Sequence, residues 1–445
     1  DLDKFGGSDF NPSEILRQQS DIWSEFWAPK GVDGARIRFA CHECMEIYRD
    51  FALPHAAKFS FKVTDFRRGL KGYNRDSKGV DLFTSLDFKL LPDVLLAGIA
   101  ESVEISVQTL AFFHQLSLSV QAGLGKKDGM RTVTLTSLLY AIWNRSQPDV
   151  RQWENDTMAD FDTCKPGSSA LFAALGRALQ AELANYAGET TGSLMHDWSK
   201  FFDTMNISIL LTEALETTYP PVHMAYAMQQ HLAPRMIKLH NFLGRPIEVW
   251  NSIIAGCLQS VPMTRVYMKR ELKNVVDNNQ GILDLSDPVT GGLAKTQIYV
   301  DDCAQHDRDP VASKFGNRLM NSFYLFRKLR DRMKLKLSDK GKIVTNCAKS
   351  AKRLQAELLR THGIKYDIVY HTRDLGISYT AGKCKPHQLT SQRFSDRKGR
   401  FVKIGRIAGT SGVGTTTSCL QEAAVGAQAP RSSLFRIKAI TQEQS

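Results

Sequence analysis

The chain lacks long apolar stretches and a secretory leader. None of its apolar runs reaches the roughly 20 residues that a membrane-spanning helix needs, so we expect no membrane partner. It begins DLDKFGGSDF, with no initiator Met and no basic segment followed by an apolar one. We therefore expect no secretory signal, and we expect a fragment or processed piece of an intracellular protein, nuclear or cytoplasmic.

Cysteine is scarce, and its eight copies are scattered. Without a secretory context we expect them to be reduced thiols. Cys41 and Cys44 have CxxC spacing, and Cys384 and His387 have CxxH spacing, more than three hundred residues further on. A structural zinc ion needs four ligands, and two such distant pairs do not predict one. Metal binding by Cys41 and Cys44 alone stays an open alternative.

Acidic residues are outnumbered, 46 against 58 Lys and Arg, which gives a net charge of +12 and a pI of about 9.2. This balance is typical of proteins that bind a polyanion, although solvated basic surfaces also have it. The positive charge is concentrated between Lys314 and Arg360, and again between Arg393 and Arg406. These two segments predict contacts with nucleic-acid phosphates; for any single Lys a solvated face is the alternative.

Apolar spacing, caps and β-branched runs give a coarse order of elements. Helices are predicted over residues 10–60, 91–120, 168–186, 312–333 and 348–361. Segment 130–145 begins like a strand and turns helical at about Ser137; further strands are predicted in 193–199, 296–300, 342–347, 367–372 and 375–380. Strands and helices alternate without a strict βαβ repeat, which predicts an α+β fold with an antiparallel sheet. The Gly-rich tail from Thr410 is expected to be loose.

Two of the strand-like segments stop at carboxylates. SLMH ends at Asp197, and TQIYV ends at the pair Asp301 and Asp302. Adjacent aspartates repel each other, so a divalent cation between them is favourable, whereas a solvated turn is the common alternative for such a pair. If Asp197 lies beside Asp301, the cluster can bind two ions about 3.5–4 Å apart, the arrangement that serves in-line phosphoryl transfer.

Three strings around these acids resemble the palm motifs of reverse transcriptases, in particular those of non-LTR (LINE-like) retrotransposons. DWSKFFDTM at 197–205 resembles the first motif, and YVDD at 299–302 resembles the Y-x-D-D box. GCLQSVPM at 256–263 lies between them, as the G-x-x-Q-G-x-P-L segment does in that family. The departures are Ser260, where the family has Gly, and Thr132, where it has Pro after Arg131.

Flanking strings extend the resemblance to about residues 78–380. SKGVDLFTSLDFKLLPDVLL and GLGKKDGMRTVTLTSLLYAIW resemble fingers segments, LKLSDKGKIV a palm motif, and RDLGISY the primer-grip hairpin. The resemblance implies a right-hand polymerase with fingers, palm and a partial thumb. The boundaries implied are a helical extension over 1–77, fingers over 78–190, palm over 191–385, and a partial thumb with the tail over 386–445. No segment resembles an endonuclease or a ribonuclease H.

The resemblance also implies roles for individual residues. Asp197, Asp301 and Asp302 would be the catalytic carboxylates and, with the Trp198 carbonyl, the ligands of two Mg²⁺ ions or of Mn²⁺ in their place. The residues implied to contact the nucleotide, as triphosphate clamp, sugar gate, template contact or pyrophosphate acid, are Lys126, Lys127, Arg131, Phe202, Gln259 and Lys340. The alternative is core packing for Phe202 and a solvated charge for each basic residue.

The sequence therefore leads us to expect RNA-directed DNA synthesis within a retroelement. The partners implied are an RNA template, a DNA primer or target and dNTPs; the oligomeric state is not specified. An RNA-dependent RNA polymerase is one alternative, but such enzymes usually have Gly before the Asp pair, and Tyr299, Val300 and Phe202 favour DNA synthesis. A non-catalytic RNA-binding protein with a decayed palm is another; loss of the acids would mark it, and all three are present.

Overall fold

The computed structural model describes residues 11–76, 78–126, 129–164, 168–239, 241–280, 295–375 and 377–382. Within them the fold is mixed α+β, as the sequence predicts. Lys127, the Cys384 and His387 pair, and the predicted thumb and tail over 386–445 lie outside the described residues, as does the Gly-rich segment from Thr410. The division into fingers and palm stays a prediction. No described helix is both long enough and apolar enough to cross a bilayer.

The helices in the described residues are numbered α1 to α13 in chain order. Their bounds are Pro12–Trp27, Gly31–Ala56, Val63–Leu70, Ser85–Leu90, Asp93–Gln108, Leu138–Arg145, Pro148–Thr157, Ala170–Tyr186, Ile207–Glu216, Pro221–His231, Ser260–Gln280, Asn317–Arg332 and Ala348–His362. Short 3-10 helices cover His114–Leu116 and Phe202–Thr204.

The strands in the described residues are numbered β1 to β11. Their bounds are Ser119–Lys126, Gly129–Leu135, Thr190–His196, Arg235–Leu239, Phe242–Leu243, Lys295–Tyr299, Asp302–Asp309, Lys342–Thr345, Asp367–Val369, His371–Asp374 and Ile377–Thr380. They form a four-stranded sheet in the order β2-β1-β4-β5, a hairpin β10-β11 and a five-stranded sheet in the order β6-β7-β3-β8-β9. The predicted antiparallel pairing needs one correction, because β1 with β4 and β8 with β9 are parallel.

Local signals predict most of the helices correctly. The Ser169 side chain accepts a hydrogen bond from the backbone N–H of Phe172 at the start of α8, and Gly188 follows its end with a φ of +74°. The region 10–60 contains two helices, α1 and α2, with Trp23 and Trp27 buried. The 312–333 helix begins later than predicted, at Asn317.

The prediction of one helix over 91–120 is wrong in its second half. Helix α5 ends at Gln108, and Ser119 begins strand β1. This strand pairs with β2 on one side and with β4 on the other. The partner strand β4 is more than a hundred residues away in sequence, and its hydrogen bonds decide for a strand from Ser119 onward against the local helical spacing.

The five-stranded sheet has apolar side chains on both faces. On β3, Leu194 packs in the large core that also contains Phe323 of α12 and Leu354 of α13. Its neighbour Met195 packs against a smaller cluster that contains Ala181 of α8 and Tyr379 of β11. Since successive side chains of a strand point to opposite faces, α12 and α13 cover one face and α8 covers the other. The sheet is therefore held between helices, and its strand ends have fixed positions.

Candidate active site

Three predicted acids meet at one edge of the five-stranded sheet. Strand β7 runs antiparallel to β3, and the last pair in register is His196 with Cys303. Asp197 directly follows the end of β3 and Asp302 begins β7, and both residues line one pocket. Asp301 belongs to the turn just before Asp302. Residues about a hundred positions apart in sequence are thus brought together by strand register.

The turn that carries Asp301 is tight and strained. Tyr299 pairs with Asp302 at the end of the β6–β7 hairpin, which leaves Val300 and Asp301 as a two-residue loop. Val300 has a φ of +59°, in the left-handed region that a β-branched residue rarely adopts. Such a conformation costs on the order of 1–3 kcal/mol and persists where the surrounding structure enforces it, most often at functional sites.

A pocket of about 710 Å³ opens in front of these acids. Its charged walls are of both signs. Asp197, Asp302 and Asp374 lie on the acidic side, and the basic side chains in its lining are Arg177, Lys340 and Lys342. A cavity lined by both acids and bases suits a phosphate ligand with bound metal ions. The bases attract the phosphates, and the acids attract the metal ions.

The acids of the pocket are close enough to affect one another. Loss of hydration, and then the nearby charges of Asp301, Asp197 and Asp374, together raise the pKa of Asp302 to about 6. The Arg177 guanidinium opposes this rise in pKa. Carboxylates that repel one another in this way favour a bound cation.

The donor set fits a hard divalent cation such as Mg²⁺. It consists of aspartate oxygens at the mouth of a solvent-connected pocket, which is how Mg²⁺ is held when substrate phosphates complete its shell. Within the ranges that the structure covers, no group of three or more His, Cys, Asp or Glu side chains is placed to hold a metal ion. Asp197, Asp301 and Asp302 are the residues that would hold the ion, with substrate phosphates completing its shell.

The segment around Trp198 is fixed to the loop that carries Lys340. The backbone N–H of Ser338 donates to the Asp197 carbonyl at 2.8 Å, and the N–H of Ser199 donates to the Lys336 carbonyl at 2.8 Å. Trp198 lies between these bonds, with its ring buried. This pairing places Lys340, which is exposed, at the pocket beside Asp197. A metal contact by the Trp198 carbonyl stays a prediction.

Phe202 and Gln259 are both held by core residues. Phe202 is half-buried, its ring lies 5.4 Å from that of Phe201, and its carbonyl accepts the N–H of Ile253. Gln259 is buried, and its side-chain carbonyl accepts the Tyr219 hydroxyl. These contacts fix their positions, but a sugar gate at Phe202 and a nucleotide contact at Gln259 remain predictions.

The predicted triphosphate clamp lies on a different sheet. Arg131 pairs with Leu124, and Lys126 pairs with Gly129, in the β1–β2 hairpin of the four-stranded sheet. Both pairs lie near the tip of the hairpin. The role of Lys126, Lys127 and Arg131 as a triphosphate clamp stays a prediction.

Cys41 and Cys44 are free thiols one turn apart on α2. Burial raises the pKa of Cys41 to about 12, and the Cys44 thiol beside it acts in the same sense. Because zinc binds thiolates, this environment disfavours a metal at the pair.

Sequence reasoning missed Arg177, Lys342 and Asp374 in the pocket. Arg177 is one base in an Ala- and Leu-rich helix, which predicts an amphipathic element and nothing about a pocket. Asp374 was visible only as part of a primer-grip resemblance. The one available signal was a single Arg at a position where the apolar spacing of α8 predicts a core residue. A buried charge requires a partner, so such an Arg indicates an acid nearby.

No known protein family and no curated protein matches the chain. The interpretation of the pocket therefore depends on its own residues.

Proposed function

We propose that the chain is an RNA-directed DNA polymerase, a reverse transcriptase of a non-LTR type of retroelement, which transfers nucleotides from dNTPs to a primer 3′-hydroxyl in the carboxylate pocket. The observation that supports this most is that Asp197, directly after β3, and Asp302, at the start of β7, line one pocket, with Asp301 in the adjoining turn. The residue pattern predicts that these acids meet, and the antiparallel register of β3 and β7 supports that prediction.

The pocket has the charges that nucleotidyl transfer requires. Two bound Mg²⁺ ions would lower the pKa of the attacking hydroxyl and neutralise charge on the pyrophosphate. Asp197, Asp301 and Asp302 would hold these ions at the end of the strained hairpin. Lys340 and Lys342, on the basic side of the pocket, would attract the phosphates and orient them by charge-assisted hydrogen bonds.

Basic residues near the five-stranded sheet support a nucleic-acid partner. Lys328 on α12 and Lys349 and Lys352 on α13 are exposed. Exposed cations on neighbouring helices are suited to the phosphates of an RNA template or DNA primer, and binding through them should weaken steeply with salt because counterions are released. The charge of the chain thus agrees with the proposed partners.

Primer extension on an RNA template with Mg²⁺ and dNTPs tests the proposal. Asp197→Asn and Asp301→Asn should each lower incorporation by about 10³-fold or more, because each removes a charge that holds the ions. RNA affinity and thermal stability should stay close to those of the parent. Asp367→Asn is the matched control, since Asp367 is exposed on β9 of the same sheet and lies outside the pocket lining.

Two results would contradict the proposal in different ways. A parent protein that binds RNA tightly but extends no primer indicates the non-catalytic RNA-binding alternative. An Asp301→Asn variant that extends primers as well as Asp367→Asn removes the acids from the mechanism. In the same assay Phe202→Ala should begin to incorporate ribonucleotides, and no gain would remove Phe202 as the sugar gate.

A further inference from the structure

A buried ion pair forms part of the wall of the carboxylate pocket. Arg177, in the middle of α8, is 2% exposed, and Asp374, at the end of β10, is 8% exposed. The Arg177 Nε donates to Asp374 Oδ2 and its Nη2 donates to Oδ1, both at 2.8 Å. This bidentate geometry fixes the plane of the guanidinium.

Stability alone does not account for this pair. The free energy of desolvating two buried charges roughly cancels their attraction, and apolar side chains of similar volume often stabilise a fold as well or better. The location of the pair is more informative. Both side chains line the pocket together with Asp197 and Asp302.

Arg177 differs from the other cations of the pocket in its rigidity. Lys340 is exposed on a flexible stem, and the Lys342 ammonium donates to the Thr372 hydroxyl at 2.7 Å. Arg177 lies on a helix that packs against both β3 and β11, and its side chain is fixed by Asp374. Its positive charge therefore stays near the acids, whether a ligand is present or not.

We propose, on the basis of the proposed function, that Arg177 is a positioning residue, oriented by Asp374, that acts as the built-in counter-charge of the carboxylate pocket and limits its affinity for divalent cations. A fixed positive charge near the acids weakens the binding of a free metal ion. The negative charge of an arriving nucleoside triphosphate restores that binding. Metal occupancy is thereby coupled to the arrival of the nucleotide.

Mn²⁺ binding without nucleic acid or nucleotide, followed by the loss of the free-ion EPR signal, tests this inference. Arg177→Gln removes a positive charge and should bind Mn²⁺ about tenfold more tightly, whereas Asp374→Asn removes a negative charge and should bind it about tenfold more weakly. Arg177→Lys keeps the charge and should stay near the parent. The double variant Arg177→Gln/Asp374→Asn should also return to the parental affinity.

A purely structural role predicts a different result. Loss of either partner would then loosen the pocket, and both single variants would weaken Mn²⁺ binding or leave it unchanged; either outcome overturns the inference. If Arg177→Gln does not fold, the double variant decides, because it leaves no buried charge unpaired. Parental affinity in the double variant supports the inference, whereas a double variant that binds Mn²⁺ as weakly as Asp374→Asn overturns it.

The proposed metal site can fail separately. Asp301→Asn should abolish the Mn²⁺ binding of the parent. If the parent binds no Mn²⁺, or if Asp301→Asn binds it equally well, the proposed function loses its metal site and the inference falls with it. If Asp301→Asn abolishes binding but Arg177→Gln does not tighten it, only the role of Arg177 is wrong.

Discussion

The two ends of strand β7 carry the same kind of residue in opposite surroundings. At its end, Asp307 and Asp309 are buried, and Arg318 of α12 donates to Asp307 at 3.0 Å and to Asp309 at 2.8 Å. At its start, Asp302 faces the pocket, where loss of hydration, and then the charges of Asp301, Asp197 and Asp374, raise its pKa.

This difference separates a structural use of aspartate from a functional one. One guanidinium bonded directly to two carboxylates compensates their burial, and such an arrangement connects a strand to a helix. Asp302 shares its pocket with other acids as well as with bases, and acids that repel one another persist where function requires them. The start of β7 is therefore the candidate site, although both ends are equally acidic in sequence.

The largest expected effect comes from removing the cation at the compensated end. Arg318→Gln leaves Asp307, whose side chain is 0% exposed, without its charged partner. We expect the free energy of unfolding, measured by urea denaturation, to fall by about 3–5 kcal/mol. Mn²⁺ affinity, measured where the variant is folded, should stay that of the parent. A change in Mn²⁺ affinity as large as that of Arg177→Gln would show that the two ends of β7 are not energetically independent.

His231, a buried base beside the buried Arg235, extends the comparison. Burial, and then the neighbouring Arg235, lowers the pKa of His231 to about 3. The folded protein therefore binds this proton more weakly than the unfolded chain does, so the stabilisation is complete above pH 6.5 and is lost as the pH falls toward 3. His231→Gln should flatten the dependence of unfolding free energy on pH below 6.5 by up to about 1.4 kcal/mol per pH unit. If the parent and His231→Gln had equal slopes of unfolding free energy against pH, this would contradict a buried, neutral His231.

The smallest expected effect is a change in stability, which has opposite signs for substitutions at the two ends of β7. In EDTA at pH 8, Asp302→Asn removes repulsion at the pocket and should stabilise the protein by roughly 0.5–1 kcal/mol, a small gain because solvent screens this side chain. Asp309→Asn weakens the bond to Arg318 and should lower the melting temperature instead. Thermal unfolding followed by circular dichroism compares them. Destabilisation by both variants would mean that Asp302, too, has a structural role.

Several parts of the fold were predictable because their causes are local. Helix α8 has its Ser169 cap and Gly188 end, and α6 begins after Ser137 as the change of periodicity indicates. The strands that carry Asp197 and Asp301 were also visible as short apolar segments that stop at acids. The start of β1 at Ser119 was not predictable, because its hydrogen bonds to the distant strand β4 outweigh the local helical spacing.

The sequence by itself determined the acids, their order, the basic balance of the chain and most of its helices, since these depend on residues close together in the chain. Only the tertiary structure decided that β3 and β7 pair in the register that puts Asp197 beside Asp302. It alone also decided that Arg177 and Asp374, 197 positions apart, form a buried pair in the same pocket. Register and charge pairing depend on which distant segments pack together, and no local pattern contains that information.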